Sequence, residues 1–139
     1  MENKLKIVAV SGYFDPLHIG HIEYLELASE LAEDGRLIVI LNNDKQAKLK
    51  KGFVYMSEQD RKRILESLWM VDEVVISIDK DKTVCKTLKK ISPDIFAKGG
   101  DRFANEIPET KTCKELGIKI VDGLGKKIRS STEILKWKN

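Results

Sequence analysis

Gly12-Tyr13-Phe14-Asp15-Pro16-Leu17-His18-Ile19-Gly20-His21, GYFDPLHIGH in one-letter code, is the stretch whose reading decides the fold. Ahead of it, Leu5-Lys6-Ile7-Val8-Ala9-Val10 is an apolar run of strand length, rich in β-branched residues. Behind it, Ile22, Leu25, Leu27, Ala28, Leu31 and Ala32 recur at helical spacing, while Glu23, Glu26, Glu30 and Glu33 face elsewhere. The ten residues therefore form the turn from a first strand into a first helix. In an open parallel sheet that turn lies at the carboxyl edge, where ligands bind. A helix start there offers unpaired N–H groups and the positive end of its dipole, which together suit phosphate.

Both histidines of the chain, His18 and His21, fall in this turn and point to roughly the same side of the helix start. Gly20 between them leaves room for a bound group to approach the backbone, Gly12 lets the turn bend, and Pro16 fixes one of its angles. His-x-x-His can also open a metal site. The further ligands would have to be Cys85, Cys113 or distant acids, without the paired spacing of zinc sites, so no metal held by protein side chains is expected.

Outward from the turn, strands and helices alternate. Arg36 to Leu41 is a second strand ending in Asn42-Asn43-Asp44, followed by a lysine-rich loop from Lys45 to Gly52. Ser57 caps a second helix that carries Ile64, Leu65, Leu68 and Trp69 and runs to about Met70. Val74 to Ile78 is a third strand, Thr83 to Ile91 a third helix broken by Ser92-Pro93, and Asp94 to Ala97 a fourth strand leading into Lys98-Gly99-Gly100-Asp101. Glu106 to Leu116 reads as a helix, Ile118 to Val121 as a fifth strand, Gly123 to Arg129 as a loop, and Ser130-Ser131-Thr132-Glu133 as the start of a last helix. Five alternations with short apolar strands specify an α/β fold, a parallel sheet with right-handed crossovers and helices on both faces. The Trp69-Met70-Val71 stretch reads first as core and second as part of a subunit interface.

The 139 residues fit one domain, 1–139, with 42% hydrophobic and 34% charged residues. No apolar run approaches the ~20 residues of a membrane span, and no signal-peptide pattern opens the chain. Two distant cysteines suggest no disulfide framework, so the expected setting is cytoplasmic, with no membrane partner. A net charge of +3, from 25 basic and 22 acidic residues, is too balanced to indicate nucleic acid.

The stretch G-x-F-D-P-x-H-x-G-H resembles the signature of the cytidylyltransferase-like nucleotidyltransferases, and the resemblance runs in order through nearly the whole chain. It implies a Rossmann-like five-stranded parallel sheet and transfer of a nucleotidyl group from a nucleoside triphosphate to a phosphorylated small-molecule acceptor, with release of pyrophosphate. Around the signature it implies that Gly12, Tyr13, Phe14, Asp15 and Gly20 bind the nucleotide. Asn42-Asn43-Asp44 followed by Lys48, Lys50, Lys51 and Gly52 is similar to the sugar-phosphate adenylyltransferase branch. A lysine of this loop would bind phosphate: Lys48 is the first choice, as a catalytic residue, with Lys50 and Lys51 close behind; Asn42, Lys50 and Lys51 would contact the acceptor, and Arg61 would hold the acceptor phosphate or serve a structural role. The K-G-G-D element is most like the heptose 1-phosphate adenylyltransferases, and implies nucleotide contacts from Lys98, Gly100 and Asp101. Arg129, Ser130, Ser131 and Thr132 would contact the triphosphate, although the glycerol-phosphate branch places an arginine where this chain has Gly125.

The implied chemistry needs in-line geometry and stabilised charge. His18 and His21 would donate to α-phosphate and bridging oxygens, and Mg²⁺ would arrive with the triphosphate and keep several waters. ATP and a sugar 1-phosphate such as a heptose 1-phosphate are the expected substrates. The alternatives are a cytidylyltransferase for glycerol 3-phosphate or phosphoethanolamine, an FMN adenylyltransferase, and a nucleotide-binding regulatory module without catalysis. Members of the family are often homodimers.

Overall fold

The computed structural model describes residues 5–99 and 107–124. In chain order these form β1 (Ile7–Gly12), α1 (Ile19–Ala32), β2 (Arg36–Leu41), α2 (Asp44–Lys51), α3 (Glu58–Glu66), β3 (Glu73–Ile76), α4 (Cys85–Ile91), β4 (Ile95–Gly99), α5 (Glu109–Leu116) and β5 (Lys119–Leu124). The five strands make one sheet in the order β3-β2-β1-β4-β5, and every neighbouring pair is parallel. This is the α/β, Rossmann-like arrangement expected from the sequence. The chain moves outward from β1 through β2 to β3, then crosses back to β4, so the order reverses beside β1 and opens a crevice at the carboxyl edge.

Alternate residues of a strand face opposite sides of a sheet, and the core divides accordingly. Val8 and Val10 of β1 pack with Leu37, Val39 and Leu41 of β2 beneath Tyr24, Leu25 and Ala28 of α1 and Leu65 of α3. Ala9, Ile40 and Phe96 face the other way, beneath Val84, Leu88 and Cys113 on the α4 and α5 side. Among the described residues no helix is long and apolar enough to cross a membrane.

Several expected boundaries shift. The lysine-rich stretch after β2 is not a loop but the helix α2. Asn43 caps it by accepting from the Gln46 N–H, Gln46 reaches back to the Asn43 N–H, and Gly52 closes it in a left-handed conformation. Ser57 does cap α3 by accepting from the Asp60 N–H, but the helix stops at Glu66. Met70 and Val71 then enter the core while Trp69 is 78% exposed, so the core reading fails for the tryptophan. The last strand runs on to Leu124, through residues expected to form a loop. The terminal helix expected from Ser130 lies outside the described residues.

Candidate active site

A cavity of about 550 Å³ sits at the carboxyl edge, where β1, β2 and β4 end. At its heart is the β1–α1 turn. Phe14 holds a left-handed backbone conformation (φ 50°) and lays its ring edge-on against His21, with centroids 4.9 Å apart. Gly12 is required beneath it, because a Cβ there would stand 2.9 Å from the ring.

His18 is the N-cap of α1, and its Nδ1 accepts the Gly20 N–H at 3.1 Å. His21 Nδ1 accepts the His18 N–H at 3.1 Å. These bonds assign the ring proton of each imidazole to Nε2. The two rings stack with centroids 3.8 Å apart. Burial lowers the His18 pKa; burial, reinforced by repulsion from His18, lowers that of His21 to about 4. Both are therefore neutral donors at pH 7. His21 lines the cavity, and His18 stacks on it without lining the cavity.

Several residues expected to touch ligands hold the turn in place. The Asp15 carboxylate is fully buried and accepts from Lys51 Nζ, the Tyr55 N–H and the Met56 N–H, each at 2.9 Å. Burial pushes its pKa up, but these bonds outweigh burial and leave it below the usual value. Lys51 also donates to the Asp15 carbonyl. The Arg61 guanidinium is wholly enclosed. It donates to the carbonyls of Met56, Tyr13 and Asn42 at 2.8–2.9 Å and pairs with Asp44 at 2.7 Å. Asp15, Lys51 and Arg61 thus join the β1–α1 turn to α2 and α3.

Lys48 is exposed and does not line the cavity, whereas Lys50 does, with Nζ 4.5 Å from the centre of the Tyr13 ring. The reason is helical: at 100° per residue, side chains two apart point to nearly opposite sides, a distinction that a loop reading cannot make. Asn42 is buried on the lining, its amide donating to Gln46. Lys98, the penultimate residue of β4, lines the cavity with Nζ 5.0 Å from the centre of the Phe96 ring, and Gly99 follows it. Gly100, Asp101, Arg129, Ser130, Ser131 and Thr132 lie outside the described residues.

Sequence reading missed other lining residues. Tyr24 of α1 donates to the Ala97 carbonyl at 2.6 Å, burial raising its phenol pKa. Lys82, Thr83 and Val84 precede α4, and Glu109 opens α5. Their shared signal is position, since each follows a strand at its carboxyl end. Among the described residues no three of His, Cys, Asp and Glu gather as a metal-binding group.

The arrangement can hold an anion against Nε2–H of a neutral imidazole and a helix start, with Lys50, Lys82 and Lys98 around the same space. Residues 9–136 match the profile of the cytidylyltransferase-like family. The chain is 38% identical over 138 residues to the bifunctional protein HldE of Campylobacter concisus, covering 97% of this chain but only 27% of that protein. It is 37% identical over 114 residues to the FAD synthase of Picrophilus torridus, covering 82% of this chain and 78% of that one. A crystal structure of a lipopolysaccharide core biosynthesis protein from Thermoplasma volcanium superposes with a TM-score of 0.72 at 26% identity, over 86% of this chain and 96% of that one.

Proposed function

The chain is a nucleotidyltransferase of the cytidylyltransferase-like family, and from that premise we propose that it moves the adenylyl group of ATP onto a sugar 1-phosphate, such as a heptose 1-phosphate, releasing pyrophosphate. The observation that carries the catalytic part is His21. It faces a cavity at the start of α1, and its proton is held on Nε2 by the bond that His18 N–H makes to Nδ1. A neutral donor preorganised in this way stabilises charge growing on a phosphate oxygen without waiting for solvent to reorganise. His18 supports it, capping the helix and stacking on its ring. Lys50 neutralises charge between the two anionic substrates, and Lys98 and Gly99 bound the nucleotide at the end of β4.

The acceptor phosphate oxygen attacks the α-phosphorus, the bond to the β-phosphate bridging oxygen breaks, and the electron pair leaves with pyrophosphate. The donors present suit Mg²⁺ carried on the triphosphate's own oxygens, where it would shield their charge. A cytoplasmic setting and a homodimer are parts of the same proposal, and exposed Trp69 is the residue to vary for the second.

FMN is a second acceptor reading, favoured by the FAD synthase of Picrophilus torridus, whose length this chain covers to 78%. Pyrophosphate release, measured with ATP and with CTP against sugar 1-phosphates, glycerol 3-phosphate, phosphoethanolamine and FMN, tests both. Release with ATP and a sugar 1-phosphate supports the first reading, and release with ATP and FMN alone replaces it with the second. Release only with CTP refutes the choice of donor. Nucleotide binding without release under any pairing would make the chain a binding module.

A further inference from the structure

Two of the lysines on the cavity lining rest against aromatic faces. Lys50 Nζ stands 4.5 Å from the centre of the Tyr13 ring, and Lys98 Nζ stands 5.0 Å from that of Phe96. Both distances fall within the ~6 Å over which a ring quadrupole attracts an ammonium. Phe96 is wholly buried in the core, so its ring serves packing as well as its lysine. Tyr13, by contrast, is half-buried and lines the cavity itself. Its effect on a lysine is the one that separates from packing.

Both partners are carried on fixed backbone. The Tyr13 carbonyl accepts from Arg61 Nη1 at 2.8 Å, and the same nitrogen donates to the Asn42 carbonyl. At the start of α2, Asn43 and Gln46 form the cap, and Gln46 also donates to the carbonyls of Asp81 and Thr83. At its end Lys51 is tied to Asp15. What the backbone leaves open is the stem of Lys50, whose rotamer freedom a bound phosphate would otherwise have to remove. A ring face narrows that freedom in advance and, unlike a carboxylate, does not cancel the positive charge. Lys51 shows the other arrangement. Its ammonium lies 5.5 and 5.4 Å from the rings of Phe53 and Tyr55, but it is bound to the Asp15 carboxylate and stays off the cavity lining.

We propose that Tyr13 is a positioning residue for Lys50: its ring face holds the ammonium at the cavity for a substrate phosphate, so part of what Lys50 contributes to binding depends on the side chain at position 13. This inference rests on the nucleotidyl-transfer reading above and goes beyond it, since the family resemblance implies only that Tyr13 touches the nucleotide. The two roles have different consequences. A positioning ring acts through Lys50 alone and is replaceable by another ring. A direct nucleotide contact acts whether or not Lys50 is present.

The test is a double-mutant cycle, read as KM and kcat with the donor and acceptor that release pyrophosphate in the panel above. Lys50→Met sets the reference. The KM that it raises is the one that Tyr13→Leu should raise, by about fivefold, with kcat held within about twofold. Tyr13→Phe keeps the ring face and should bring that KM back to within about twofold of wild type. In the Lys50→Met background, Tyr13→Leu should add less than about twofold. The ε-CH₂ protons of Lys50 give a readout independent of turnover: the ring should shift their NMR signals upfield in wild type and in Tyr13→Phe, and Tyr13→Leu should abolish the shift. Unshifted signals in wild type would overturn the proposal even where Tyr13→Leu folds poorly. So would a Lys50→Met variant with both KM values unchanged, a wild-type KM in Tyr13→Leu, an equal loss in Tyr13→Phe, or a full effect of Tyr13→Leu in the absence of Lys50. Failure of the underlying reading looks different: wild type would release no pyrophosphate with any pairing, while the Lys50 signals would still report the ring contact.

Discussion

Two groups of polar side chains meet around the β1–α1 turn, and they differ in how much of their hydrogen-bonding capacity the fold already uses. Asp15 and Arg61 are saturated, the carboxylate by one ammonium and two amides, the guanidinium by three carbonyls and one carboxylate. In His21 and Glu109 one atom is fixed by a backbone N–H while the other polar atom has no partner among the described residues, and both side chains line the cavity. All four lie near the same carboxyl edge, so neither location nor charge separates a clamp from a contact. Remaining hydrogen-bonding capacity does.

The sharpest way to break this contrast is Arg61→Ala. Three carbonyls, that of Asn42 buried, and Asp44 would lose their donor, and stability should fall by about 3 kcal/mol, the low end for one partner of a buried pair. Urea unfolding reads this directly, and Arg61→Lys should recover little because an ammonium cannot reproduce the planar fork. A loss below about 1 kcal/mol would mean that the clamp does not hold the frame.

Acid separates the two groups next. Folded His21 refuses a proton until about pH 4, whereas an unfolded histidine takes one near 6.5. Between those values the unfolded chain binds more protons, so stability falls as pH drops from 6.5 toward 4 and is flat in this respect above 6.5. The contribution is on the order of 3 kcal/mol. It should appear as a slope in wild type that His21→Gln reduces, and the imidazole NMR signals of His21 should not titrate between pH 8 and 5. The smallest effect belongs to the lysines: Lys50→Ala should raise KM about tenfold, a loss near 1.4 kcal/mol, while Lys48→Ala should change it less than twofold. Equal effects would contradict the helical phase of α2.

The sequence was most legible where a local pattern decides the structure. β1, the glycine-punctuated turn and α1 follow from apolar periodicity on either side, and the alternation of strands and helices implies the parallel sheet. α2 was hidden because its face toward the core is only Gln46 and Ala47, leaving caps rather than an apolar stripe as its signature. The choice between neighbouring lysines depends on the same helical phase, which puts Lys50 and not Lys48 on the cavity lining. Arg61 reaches carbonyls 19 and 48 residues away in sequence, and no local pattern records such contacts. Glu109 reads as an ordinary charge at a helix start until the position of Val84 is known.

The central claim is that a neutral His21 Nε2–H stabilises the charge that builds during nucleotidyl transfer. The most direct measurement is single-turnover pyrophosphate release by His21→Ala at saturating ATP and acceptor, together with its unfolding curve. The account predicts a loss of at least about a hundredfold, on the order of 3 kcal/mol, in a protein that still unfolds cooperatively. A variant that releases pyrophosphate at near the wild-type rate would contradict it.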